Sequence, residues 1–108
     1  PLLAERLAAT RETLDSAGDE RYVIALFITE NTEPARMEDF LRRARKLVEL
    51  ERLFVIPVAG GGDYRLWVVY GDFAGREGAA AASQRLPERY QQAFRAAPRS
   101  FAELRRAL

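Results

Sequence analysis

The chain contains no cysteine and no histidine. That removes disulfides, the usual zinc ligands, the Cys–His nucleophile–base pairs and the common proton shuttle of neutral pH. Carboxylate, hydroxyl and guanidinium are the chemistry that remains, and no nucleophile is paired with a base, so we expect no enzyme active site, no metal and no cofactor. A chain without thiols is equally suited to reducing and oxidising compartments, so their absence does not report localisation. Lysine is nearly absent as well: Lys46 is the only one, and 17 basic against 16 acidic residues leave a net charge of +1. So weak a field predicts neither nucleic acid nor an anionic membrane as partner. No apolar run approaches the ~20 residues of a membrane span, and no signal-peptide pattern opens the chain. The chain opens at Pro1 without Met. We read it as a piece of a longer protein, in which any membrane anchor would lie elsewhere.

The 108 residues suit one domain with its own core. In residues 2–16, Leu3, Leu7, Thr10 and Leu14 alternate at spacings of four and three, which predicts an amphipathic helix. Gly18 within Ala17-Gly18-Asp19 suits a left-handed C-cap. Tyr22–Ile28 is rich in β-branched and aromatic residues and predicts a strand apolar on both faces. Asn31-Thr32-Glu33-Pro34 offers a cap and a proline where a helix tolerates one. The helix that follows sets Met37, Phe40, Leu41, Ala44, Leu47 and Val48 on one stripe, with Arg42, Arg43, Arg45 and Lys46 on a solvated face.

Leu53–Val58 predicts a second strand, and Pro57 within it argues for a sheet edge or a strand end. Ala59–Asp63, with Gly60-Gly61-Gly62, reads as a hairpin turn. A phosphate cradle would instead open a helix. Tyr64–Tyr70 predicts the third strand, and residues 71–75 a turn into a helix over 76–86 whose Ala79, Ala82, Ser83 and Leu86 form a small-residue face. Pro87 ends that helix or starts a short helical turn through Tyr90 and Phe94. A brief fourth strand is expected near Ala96–Ser100, and Phe101, Leu104 and Leu108 recur at helical spacing after it.

This order predicts an α+β, ferredoxin-like β-α-β-β-α-β split βαβ sandwich: an antiparallel sheet with the first and third strands central, plus N- and C-terminal helices. Residues 1–18 would be an N-terminal helix and 19–108 the domain proper. Two helices would cover one sheet face. Strand alternation then turns Ile24, Leu26, Ile28, Leu66, Val68 and Tyr70 towards the helices and Val23, Ala25, Phe27, Arg65, Trp67 and Val69 to the other side. Such a face is too apolar to stand open without a reason. A terminal helix, a second copy of the chain or a ligand could each cover it. The carboxylates Glu30, Glu33, Glu38 and Asp39 cluster in sequence and read as complements to a helix N-terminus rather than as an acid–base pair.

Several segments in this order resemble the SPOR domain, a bacterial peptidoglycan-binding module of cell-division and envelope proteins. They are Tyr22–Leu26, Tyr64–Phe73, Gly75–Ala79, Leu86-Pro87 and the tail Pro98–Leu104, together spanning most of the chain. The resemblance implies the β-α-β-β-α-β fold, binding of glycan strands stripped of their stem peptides, and a periplasmic position in the bacterial envelope. The chain departs from the family where Gln is common in the first strand (here Ala25), three positions later (Ile28), at the aromatic before the tail Arg-Ser (Ala97) and at Trp67, where many members carry a polar residue. Phe27, Tyr64, Arg65 and Trp67 are the expected ligand platform, with Trp67 stacking on a sugar ring and Arg65 donating hydrogen bonds.

Two other readings share this surface. The apolar face could serve protein interaction or self-association, with other envelope proteins or a homodimer as partner. An RNA-binding role, suggested by the same strand order in RRM domains, lacks the basic-Gly-aromatic-small motif in 64–71 and the positive charge it needs.

Overall fold

The computed structural model describes residues 1–60, 63–93 and 97–107. The elements follow in the order α1 (Leu2–Ser16), β1 (Tyr22–Thr29), α2 (Pro34–Ala44), a 3-10 turn (Leu50–Arg52), β2 (Leu53–Gly60), β3 (Asp63–Phe73), α3 (Arg76–Ser83), α4 (Glu88–Ala93), β4 (Ala97–Ser100) and α5 (Phe101–Ala107). The strands form one sheet in the order β2-β3-β1-β4, antiparallel at every pairing. This is the split βαβ arrangement with flanking helices, and β2 takes the edge position that Pro57 anticipates. β2 and β3 remain paired out to Gly60 opposite Asp63. The expected turn glycines Gly61 and Gly62 lie outside the described residues, as do Ala96, Phe94 and Leu108.

One sheet face packs on the helices that connect the strands. Ile24, Leu26, Leu53, Val55, Leu66 and Val68 bury there against Met37, Leu41 and Ala44 of α2, Ala79 of α3, Leu86 and Tyr90. The opposite face does not stand open. Phe101 and Leu104 of α5, with Leu14 and Ala17 at the end of α1, close over Val23, Phe54, Ile56, Val58 and Val69. Of the three covers the sequence allowed for this face, a terminal helix is the one observed. Terminal helices that strand alternation says nothing about supply most of the cover.

Helix α1 straddles the outer edge of β2, with Leu2, Leu3 and Leu7 on one core and Ala9 and Leu14 on the other. An edge strand presents unpaired N–H and C=O groups, and α1 satisfies them with side chains. Arg6 Nε donates to the Leu53 carbonyl at 2.9 Å and its terminal nitrogen to the Glu51 carbonyl at 2.8 Å. Thr10 Oγ1 accepts the Val55 N–H at 3.1 Å while donating to the Arg6 carbonyl at 2.6 Å. That explains a buried polar residue within an apolar stripe. Two residues on, at the next outward-facing position, Pro57 has no N–H to satisfy.

The end of α1 departs from the expected left-handed cap. Ala17 is extended at φ −77, and among the described residues Gly71 alone has a positive φ. The carbonyls of Leu14 and Ala17 are taken instead by the guanidinium of Arg105, whose other nitrogen meets Asp19 at 2.6 Å. A distant side chain thus replaces the local cap. At the start of α5, Ser100 Oγ accepts the Glu103 N–H at 3.1 Å, the serine half of an S-x-x-E capping box.

The other end of α1 is capped from α2. The carboxylate of Glu38 accepts the N–H groups of Leu2 and Leu3 at 2.8 and 2.9 Å, two of the first-turn donors that lack intrahelical partners. Of the four clustered carboxylates, Glu38 complements a helix N-terminus, and that helix is α1 rather than its own. The Leu3 and Leu2 amides hold the Glu38 carboxyl below the usual glutamate range. A depressed folded value means that this contribution is present above the ordinary glutamate pKa and is lost as pH falls through the depressed one. Glu38→Gln is expected to lower stability at neutral pH and to flatten the acid limb of the stability–pH profile. Urea unfolding at steps from about pH 7 to about pH 3 measures this; parallel profiles for the two proteins would show that the carboxylate contributes nothing.

Candidate functional site

On β3, alternation sets Leu66 and Val68 in the first core and Trp67 and Val69 against the second, with Arg65 on the Trp67 side. In the paired strands Trp67 stands opposite Ile56 of β2 and Ile28 of β1. One row further, Val69 stands opposite Phe54 and Ala25, and Ala25 opposite Ala97 of β4. Trp67 packs against the second core without being fully buried in it. Ile28 is 48% exposed, while Trp67, Ala25 and Ala97 are half-buried.

The expected platform is corrected at two positions. In β1, Ala25 pairs with Val69 but Phe27 with Val68, so Leu26 and Phe27 share one partner. This β-bulge reverses the alternation. Phe27 turns into the first core, its ring edge-on to Phe40 at 5.1 Å between centroids, and Ile28 takes the place beside Trp67 that Phe27 was expected to fill. Tyr64, at 64% exposed, is an odd number of residues from Trp67 along a regularly paired strand, and so points to the opposite side. Arg65 and Trp67 remain together.

Arg65 is exposed and makes no ion pair with a carboxylate among the described residues. Its guanidinium is free to donate to a ligand. Beside Ile56, a groove of about 590 Å³ continues the surface along α1, lined by Leu7, Thr10, Arg11, Leu14, Ile56 and Pro57. The assembled site is one indole, a shelf of Ile28, Ala25 and Ala97, and one guanidinium. It offers a stacking plane and hydrogen-bond donors.

Sequence reasoning missed Ile28 because a bulge does not show in an alternation pattern. The one hint is that Leu26, Phe27 and Ile28 run apolar without a break. Among the described residues, no three carboxylates gather where they could hold a metal ion. No described helix is long and apolar enough to cross a membrane. A search against protein-family models and a search of curated proteins each found no match to this chain.

Proposed function

We propose that the chain is a non-catalytic binding module, SPOR-like in kind, that holds peptidoglycan glycan strands in the bacterial envelope on the Trp67 end of its sheet. The observation that carries this reading is the half-buried Trp67, beside the exposed Ile28 on the second face, with the exposed Arg65 on the same side. An indole face stacks on the C–H side of a sugar ring, and a guanidinium donates to hydroxyl or acetamido oxygens. The groove along α1 gives a linear polymer room to continue past Ile56.

Self-association through the same patch is the competing reading, favoured by the exposure of Ile28. A stable homodimer buries roughly 800 Å² per partner, so this reading needs neighbouring surface in addition to Trp67, Ile28 and the two alanines. Sedimentation at rising concentration separates the two readings.

Retention on sacculi treated with amidase to strip stem peptides tests the proposal. Trp67→Ala is expected to weaken retention about tenfold, the loss of one stacking contact. Tyr64→Ala, exposed on the other side, is expected to leave it unchanged. Equal retention of Trp67→Ala, or equal binding to untreated sacculi, would remove the site from consideration.

A further inference from the structure

A second cavity lies beside the end of α2 and the end of α3, and nothing in the glycan reading uses it. It measures about 810 Å³ and is walled by residues 45–52, the ends of β3 and α3, and Leu86-Pro87. Its apolar lining residues include Leu47, Val48, Leu50, Tyr70, Phe73 and Pro87. Arg45, Lys46, Arg52 and Arg85 line it, against the carboxylates of Glu49 and Glu51, so four cations meet two anions.

None of these four cations pairs with a carboxylate among the described residues, whereas Arg21, Arg42, Arg99 and Arg105 all do. Nor are they needed to satisfy the nearby helix ends. The Leu41, Arg43 and Ala44 carbonyls at the end of α2 already accept the backbone N–H groups of Arg45, Lys46 and Leu47, and the Ala82 carbonyl at the end of α3 accepts that of Arg85. These bonded turns also hold the cavity walls in place. Arg52 is fixed further: its guanidinium carbon sits 4.9 Å from the Phe73 ring centroid and 5.5 Å from that of Tyr70. Cation–π packing pre-orients the fork without consuming its donors.

We infer that this cavity is a binding site for a small organic anion with an apolar, ring-like body and two negative charges. The volume lies within the range of small-ligand pockets. The two surplus cations set the charge, and arginine forks suit carboxylate, sulfonate or phosphate oxygens in paired hydrogen bonds. The aliphatic part of the wall, Leu47, Val48, Ala82 and Pro87 beside the rings that Arg52 covers, adds contact for an organic body that an inorganic ion lacks. The site lies on the sheet face that carries α2 and α3, so it stands or falls independently of Trp67.

Naphthalene-1,5-disulfonate is a suitable probe, titrated against the isotope-labelled whole chain with amide resonances followed by NMR. Saturable shifts confined to residues 45–52, 70–73 and 82–87 are expected. Arg85→Gln and Arg45→Gln, both exposed and so able to fold, are expected each to weaken binding about tenfold, the loss of one charge-assisted contact. Inorganic sulfate at matched ionic strength is expected to leave those resonances in place. Shifts that scatter or fail to saturate, affinity unchanged in both variants, or sulfate reproducing the same pattern would each overturn the proposal.

Discussion

Phe101→Ala is expected to destabilise the domain by about 3–5 kcal/mol, as truncation of a buried phenylalanine does elsewhere. Against a total of about 5–15 kcal/mol for a domain of this kind, that is a large share. The ring is 2% exposed and lies in the second core with Val23, Phe54, Val69 and Leu104. Its backbone N–H also donates to the Arg21 carbonyl at 2.8 Å, and Arg105 stacks on its face at 5.6 Å while holding the end of α1. Removing the ring therefore loosens α5 and, through Arg105, α1. In urea the midpoint should fall while the slope stays constant, which marks a change in stability rather than in compactness. A loss below about 1 kcal/mol would mean that α5 contributes no core, since only surface positions are that tolerant.

Gly71→Ala is the second large effect, expected at about 2–4 kcal/mol from an unfavourable backbone conformation and a steric clash together. Gly71 has φ +93 and is buried within β3. It sits at a bulge where Tyr22 pairs with Phe73 but Ile24 with Tyr70, so the strand carries an extra residue there. A β-carbon at this position would lie 2.1 Å from the Phe73 ring, which itself supports Arg52. Gly78, exposed within α3, has 3.9 Å to the nearest atom. There the same substitution is expected to stabilise by up to about 1 kcal/mol, because alanine restricts the unfolded chain more than glycine does. Thermal or urea unfolding of the two variants side by side should show opposite signs; two destabilised proteins would contradict the backbone assigned to these glycines.

Much of the architecture was legible because it is local. Apolar runs of β-branched residues at Tyr22–Ile28 and Tyr64–Tyr70, helical spacing from Met37 to Ala44, and Pro57 as an edge marker lead to the observed element order and sheet, while Leu47 and Val48, placed on the same stripe, lie past the end of α2. What was not legible depends on pairing or on distant contacts. Two bulges, at Leu26-Phe27 and Gly71-Asp72, each shift the strand by one residue. The first exchanges Phe27 for Ile28 beside Trp67, and the second carries β3 on to Phe73, where a turn was expected from Gly71. The guanidinium of Arg105 caps α1 from 91 residues away in sequence, a partnership no local pattern encodes. Thr10 is an intermediate case: its place in the stripe was visible, but its role as acceptor for the β2 edge emerges only once the edge is known.

Trp67 is the chain's only tryptophan, so its emission reports directly on the proposed binding surface. Adding glycan strands stripped of stem peptides is expected to shift that emission to shorter wavelength and to reduce its quenching by acrylamide, as a sugar ring displaces water from the indole face. Strands that keep their stem peptides should leave both unchanged. If stripped strands bind, as judged by co-sedimentation, while Trp67 emission and quenching stay as in the free protein, the ligand lies elsewhere and the assignment of the Trp67 face is wrong.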